Sequence, residues 1–167
     1  FNMLRKHIKI EPLRWYYHCD TIGMLVWQDA VSGGTPYHPL LIQILPLVLG
    51  VDYVTDKYYS IYGRSCEIGR KNYYRDLKAM VEHLYNVPSI AVWVPFNEGW
   101  GQFDAAKAVD FIKELDVTRS IDHASGWHDQ GAGDFKSLHV YFKKVRIKPD
   151  AKGRAIILSE FGGYSHC

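Results

Sequence analysis

Two rhythms of apolar and polar positions run along the chain. The short stretches "MLVWQD" (24–29) and "SIAVWV" (89–94) are almost continuously apolar, as parallel strands covered on both faces are. Residues 1–8, 119–124, 137–142 and 154–161 read as four further strands. A helical rhythm predicts helices between them. Residues 11–23 form one, with Pro12 in the first turn and Gly23 as the stop. Residues 70–85 form another, with Tyr73, Leu77, Met80, Val81 and Leu84 on one face and Arg75, Asp76, Lys78 and Glu82 elsewhere. A third covers 103–116, with Asp104 as N-cap and Ala105, Ala108, Ile112 and Leu115 inward. Residues 30–64 follow neither rhythm. Gly33, Gly34, Pro36, Pro39, Pro46 and Gly50 interrupt them, and a long crossover or lid with one short helix is expected.

Strands alternating with helices imply a parallel sheet. The strand ends carry Arg5 and His7, Asp29, Asn97 and Glu98, Asp122 and His123, His139 and Tyr141, and Glu160. In a (β/α)8 barrel such ends converge on one mouth. The competing doubly wound sheet favours a glycine-rich phosphate turn after its first strand, and no GxGxxG occurs here. The expected fold is therefore an α/β TIM barrel. It is incomplete, with about six of the eight β/α units.

Glu98 and Glu160 would face each other across that mouth. Two carboxylates on rigid strands suit glycoside hydrolysis: one protonates the leaving oxygen, and the other attacks the anomeric carbon or activates water. Trp100 and Trp127, each just past a strand end, would form an apolar wall against a sugar or anchor their loops. His139 and Tyr141 alternate onto one strand face, which suits either the site or barrel filling. His123, His128, Asp129 and Asp134 match no standard metal spacing, so no metal or other cofactor is expected.

Composition narrows the partners. Apolar residues make up 47% and charged residues 23%, ordinary values for a globular chain. A net charge of +2 without a basic stripe argues against nucleic acid. The longest apolar run, 39–51, is too short for a membrane span and contains Pro46. Cys19, Cys66 and Cys167 form no CxxC pair. Nothing marks a compartment.

The stretches "WVPFNEGWGQFD" and "LSEFGGY" resemble the catalytic barrel of glycoside hydrolase family 2, which includes β-galactosidases, β-glucuronidases and β-mannosidases. "FNMLRKHIKIEP" with "WYYHCDTIGMLVWQD" is similar to that family's second strand, helix and third strand. The resemblance implies a retaining, β-galactosidase-like hydrolase acting on terminal β-glycosidic bonds. Glu98 would be the acid/base and Glu160 the nucleophile. Asn97 would bind a sugar hydroxyl, and Arg5 would keep Glu160 anionic. His7, Asp29, Trp100, Trp127, His139 and Tyr141 would complete a carbohydrate site. It further implies that the six strands are the second to seventh, that the first and eighth lie outside residues 1–167, and that flanking β-sandwich domains are absent. Open sheet edges would then favour self-association. The alternative is a non-catalytic carbohydrate-binding or assembly module.

Overall fold

The computed structural model describes residues 1–50, 53–142 and 144–162. Strands β1 (Met3–Lys6), β2 (Leu25–Asp29), β3 (Ile90–Val94) and β4 (Ser120–Ile121) pair in that order, all parallel. Strands β5 (Phe135–Val140) and β6 (Ala155–Phe161) form a second parallel pair. Each of the six expected strands is present. The expected strand at 119–124 shrinks to Ser120–Ile121 because the chain then turns toward the site. It still tracks β3 through Asp122 N–H to Trp93 O and a bridge between Asn97 and Ser125. Asp134 joins the two sheets: its N–H reaches Ile121 O, and its carboxylate accepts from Ile121 N–H.

Alternation along the strands builds two cores. Val26 and Trp93 face outward, toward helices α1 (Leu13–Ile22), α2 (Glu67–Leu84) and α3 (Ala105–Leu115). The five residues expected on the inner face of α2 are all buried there. Trp27, Val92 and Val94 face the barrel interior, packed against Phe135 and Ile157. Trp27 and Phe135 stack with ring centroids 5.7 Å apart, so the two sheets meet across the interior. No helix lies between β4 and β5 or between β5 and β6 among the described residues. No helix there is long and apolar enough to cross a membrane.

Two local expectations are corrected. Asp104 precedes α3 but does not cap it with its side chain. Its carboxylate is taken by Lys57 and Tyr59, and Asp56 accepts from Ala105 N–H at 2.7 Å instead. Within α3, Val109 is buried, whereas Leu115 only borders the core. The 30–64 region holds a ten-residue π-helix, Leu40–Leu49, with Pro46 inside it. Proline lacks an N–H and disfavours the tighter α-helical ladder, so a wider coil accommodates it.

One buried junction ties the outer layer together. Asp116, just after α3, accepts from Trp93 Nε1 at 2.9 Å, Arg119 Nη1 at 2.7 Å and Thr118 Oγ1 at 2.6 Å. Arg119 also donates to Ile90 O, Tyr85 O and Val87 O. Burial disfavours the Asp116 anion, but these donors outweigh it and hold its pKa well below the usual carboxylate range. Asp116→Ala strands the Arg119 charge and should cost about 3 kcal/mol, read from urea unfolding. A loss below about 1 kcal/mol, the size of a surface pair, would contradict this. The Asp116 contribution is present above the ordinary aspartate pKa of about 3.9 and fades as pH falls toward the depressed native value.

Candidate active site

Arg5 occupies the centre of the site. Its Nε and Nη2 form a two-pronged pair with Asp29, each at 3.0 Å. Nη2 also donates to Asn97 Oδ1 at 2.7 Å, and Nη1 donates to Glu160 Oε1 at 2.6 Å. One guanidinium thus links β1, the end of β2, the turn after β3, and β6. Burial opposes the Arg5 charge, but Asp29, then Glu160 and Asp122, outweigh it and raise its pKa. His7 lies on the rim, with Nδ1 at 3.2 Å from Asp29 Oδ2. That contact raises the His7 pKa against its partial desolvation.

Glu98 is placed by a strained turn. Its φ is 50°, a left-handed conformation that is costly for a side chain other than glycine. The surroundings over-determine it. Glu98 N–H donates to Ser125 O, and Ser125 N–H donates to Phe96 O, both at 2.9 Å. Gly99 follows at φ 74°, and a Cβ there would lie 2.5 Å from the His128 ring. Arg64 closes the turn by donating to Gly101 O at 2.7 Å.

His139 and Tyr141 connect the two carboxylates. Arg5 Nη1 lies 3.2 Å from His139 Nε2. An arginine N–H only donates, so Nε2 accepts and the imidazole proton sits on Nδ1. That Nδ1 lies 2.9 Å from Glu98 Oε1. Tyr141 Oη lies 2.8 Å from the same Glu98 Oε1 and 2.5 Å from Glu160 Oε2. Burial, then the Glu160 and Glu98 contacts, push the Tyr141 pKa far up, so it keeps its proton. Ligand atoms of Glu98, His139 and Glu160 all lie within 4.8 Å of one another. Glu98 is buried, whereas the Glu160 side chain is 31% exposed.

The remaining expected residues sort as follows. The Asn97 amide carbonyl is used by Arg5, and its Nδ2 is buried without a partner among the described residues. Trp127 is buried, edge-on to Tyr141 with centroids 6.2 Å apart, and Trp100 is edge-on to His7 at 6.0 Å. His123, His128, Asp129 and Asp134 do not converge. His123 faces Asp129, His128 reaches Ile42 O, and Asp134 holds Ile121.

A serine cluster was missed by sequence reasoning. Ser125 Oγ lies 3.1 Å from His139 Nε2 and 3.3 Å from both Ser137 Oγ and Ser159 Oγ. Burial raises the pKa of Asp122 beside it, despite the Arg5 charge. The signal was present in the strand alternation: Ser137 lies two before His139, so both share the inner face.

A curved wall of parallel strands, helices outside and a pair of carboxylates at the mouth define a (β/α)-barrel domain with a carboxylate-pair centre. A family model, "Glycosyl hydrolases family 2, TIM barrel domain", matches residues 6–150. The chain belongs to that family. Its fold is similar to the β-galacturonidase of Eisenbergiella tayi bound to galacturonate, with TM-score 0.65 and 16% identity over 96% of this chain and 29% of that one. It is also similar to a β-glucuronidase from an uncultured Clostridium, with TM-score 0.57 and 15% identity over 84% of this chain and 23% of that one. An FMN-binding β-glucuronidase from Facaelibacterium prausnitzii gives TM-score 0.57 and 21% identity over 84% and 20% of the respective chains. This chain therefore spans less than a third of the length of each. No curated protein sequence matches it.

Gly126 tests the placement of His139. Its φ is 89°, and a Cβ there would lie 2.3 Å from the imidazole. Gly126→Ala should push His139 away from Glu98 while leaving both cores folded. The histidine Nδ1–H resonance should shift or vanish in NMR spectra, with little change in far-UV circular dichroism. An unmoved resonance would show that the ring is not packed against this backbone.

Proposed function

We propose that this domain hydrolyses β-glycosidic bonds with retention, through Glu160 as nucleophile and Glu98 as acid/base. The observation that carries this reading is the bridging of the two carboxylates by Tyr141, with one oxygen of each within 4.8 Å of the other. Retaining enzymes hold the pair about 5 Å apart, whereas inverting ones need roughly 6.5–9.5 Å for an intervening water.

The contacts divide the labour. Both protein donors to Glu98 fall on Oε1, and its Oε2 makes no hydrogen bond among the described residues. Oε2 is left to carry the acid proton. Both oxygens of Glu160 are engaged, Oε1 by Arg5 and Oε2 by Tyr141, which suits a fixed anion. In the first step Glu160 attacks the anomeric carbon. The bond to the leaving oxygen breaks, and that oxygen takes the Glu98 proton. In the second step Glu98 removes a proton from water. The water oxygen bonds to the anomeric carbon, and the ester to Glu160 breaks. Asn97 Nδ2 is enclosed and must be uncovered before it meets a sugar hydroxyl, and the Trp100 ring lies against His7 at the rim.

A β-galactosidase-type specificity follows from the sequence resemblance. A β-uronide specificity is suggested by the names of the similar β-glucuronidases and β-galacturonidase. Aryl β-galactosides and aryl β-glucuronides assayed in parallel, with the protein carrying this domain, decide between them. Glu160→Gln should lower turnover by at least about 10³-fold. Glu98→Ala should be recovered by azide, giving a glycosyl azide of retained configuration. Inverted product, or turnover indifferent to Glu160→Gln, would defeat the assignment.

The same reading includes association through the sheet edges. β1 and β6 each pair on one side only among the described residues, and Met3, Leu4 and Phe161 are exposed there. The isolated chain should sediment as a dimer or larger, and a monomer at micromolar concentration would rule this out.

A further inference from the structure

A cleft of about 770 Å³ opens beside the carboxylate pair, sharing His139 and Tyr141 with it. Four cations line it, Lys136 from β5 and Lys144, Arg146 and Lys148 from the β5–β6 connection. No aspartate or glutamate is among its lining residues. None of the four cations makes an ion pair with a described residue. Other cations of the chain are paired, Lys57 with Asp104, Arg119 with Asp116, and Arg154 with Asp129 and Asp150, while Arg64, Arg70 and Lys152 spend their donors on backbone carbonyls. Like charges lining one cleft, Lys136 from the face of β5 opposite His139 and the other three from the connection, repel one another and attract an anion from solution. A cleft of this volume also exceeds the needs of one sugar ring and falls within the range that encloses drug-sized ligands.

The geometry points to an anion-reading subsite: the cleft takes a carboxylated or sulfated sugar unit next to the one held between Glu98 and Glu160. This rests on the glycosidase reading of the adjoining centre and specifies its substrate as an acidic oligosaccharide. Trp127, buried against His139 and Tyr141, contributes apolar lining to the cleft. Arg146 offers a planar fork that suits carboxylate and sulfate alike, and the lysines act as adjustable point charges.

The test uses the Glu160→Gln form of the protein carrying this domain, so that binding is read without turnover. Calorimetry in about 50 mM salt, where surface charges act over more than 10 Å, compares four probes. These are trigalacturonate, a sulfated galactan trisaccharide, neutral galactotriose and tripolyphosphate. At least one acidic trisaccharide should bind roughly ten-fold more tightly than galactotriose, the combined effect of a few exposed ion pairs. Lys144→Glu/Arg146→Glu/Lys148→Glu should abolish that preference, and in the otherwise native protein should leave hydrolysis of a neutral aryl β-glycoside unchanged. The two acidic arms separate a carboxylate reader from a sulfate reader. Galactotriose binding as tightly as both acidic sugars, an undiminished preference in the charge-reversed variant, or tripolyphosphate binding as tightly as the sugars would each overturn the subsite. Failure of the glycosidase reading looks different: no aryl glycoside is cleaved, yet the acidic-sugar preference and its loss on charge reversal persist.

Discussion

The structure depends on one largely enclosed cation. Arg5 ties together four segments that are far apart in sequence, by the paired bonds to Asp29, the bond to Asn97 and the bond to Glu160. Its burial is tolerable only because each N–H faces an acceptor. The converse holds for its partners. Asp29 is buried and would be a stranded anion without the guanidinium. Several acidic groups compete for this single charge, and Asp122 shows how the excess is handled. Enclosed and without a cation of its own, it is driven toward its protonated form. The fold and the candidate chemistry thus draw on the same charge.

Much of this was legible in the sequence because parallel strands leave a two-sided signature. Continuous apolar runs gave β2 and β3, and the helical rhythm gave the buried face of α2 residue by residue. The strand ends pointed to residues that the fold brings together: Arg5, Asp29, Asn97, Glu98, His139, Tyr141 and Glu160 form one hydrogen-bonded cluster. What escaped was everything governed by long-range polar contacts. Asp104 has the right residue type and position for a cap, yet Lys57 and Tyr59 claim its carboxylate and Asp56 caps α3 from the insertion. Alternation puts Ser137 on the inner face with His139, but it does not tell that Ser125 and Ser159 meet it there, because those contacts join three separate segments.

The 30–64 region was the least readable for the same reason, and its role is structural support for the mouth. Arg64 is buried, lies over the Tyr73 and Phe103 rings, and fastens the turn that follows Glu98. The π-helix offers Ile42 O to His128, the ring against which Gly99 packs. Tyr62 and Gln130 both donate to Val54 O. Outside its π-helix such a segment needs no repeating pattern, since it is held by single bonds between scattered positions, such as Thr35 N–H to Gly63 O and His38 N–H to Ile61 O. It keeps Glu98 in a left-handed conformation that an unsupported turn would leave.

Tyr141 joins the support to the proposed cycle. Its hydroxyl has one proton and two carboxylate neighbours, and its pKa is raised too far for it to lose that proton near neutrality. In the resting site the shorter contact is to Glu160, the group proposed to carry the fixed negative charge. Once Glu160 is esterified, on this reading, its charge is gone and Glu98 is the anion. The same hydroxyl then has its stronger acceptor on Glu98 without any backbone movement, because the two oxygens already lie within reach of it. A preorganised donor that follows the charge from one carboxylate to the other costs no solvent reorganisation at either step. That economy requires Arg5 and His139 to hold the two acids still, which returns the chemistry to the guanidinium at the centre of the site.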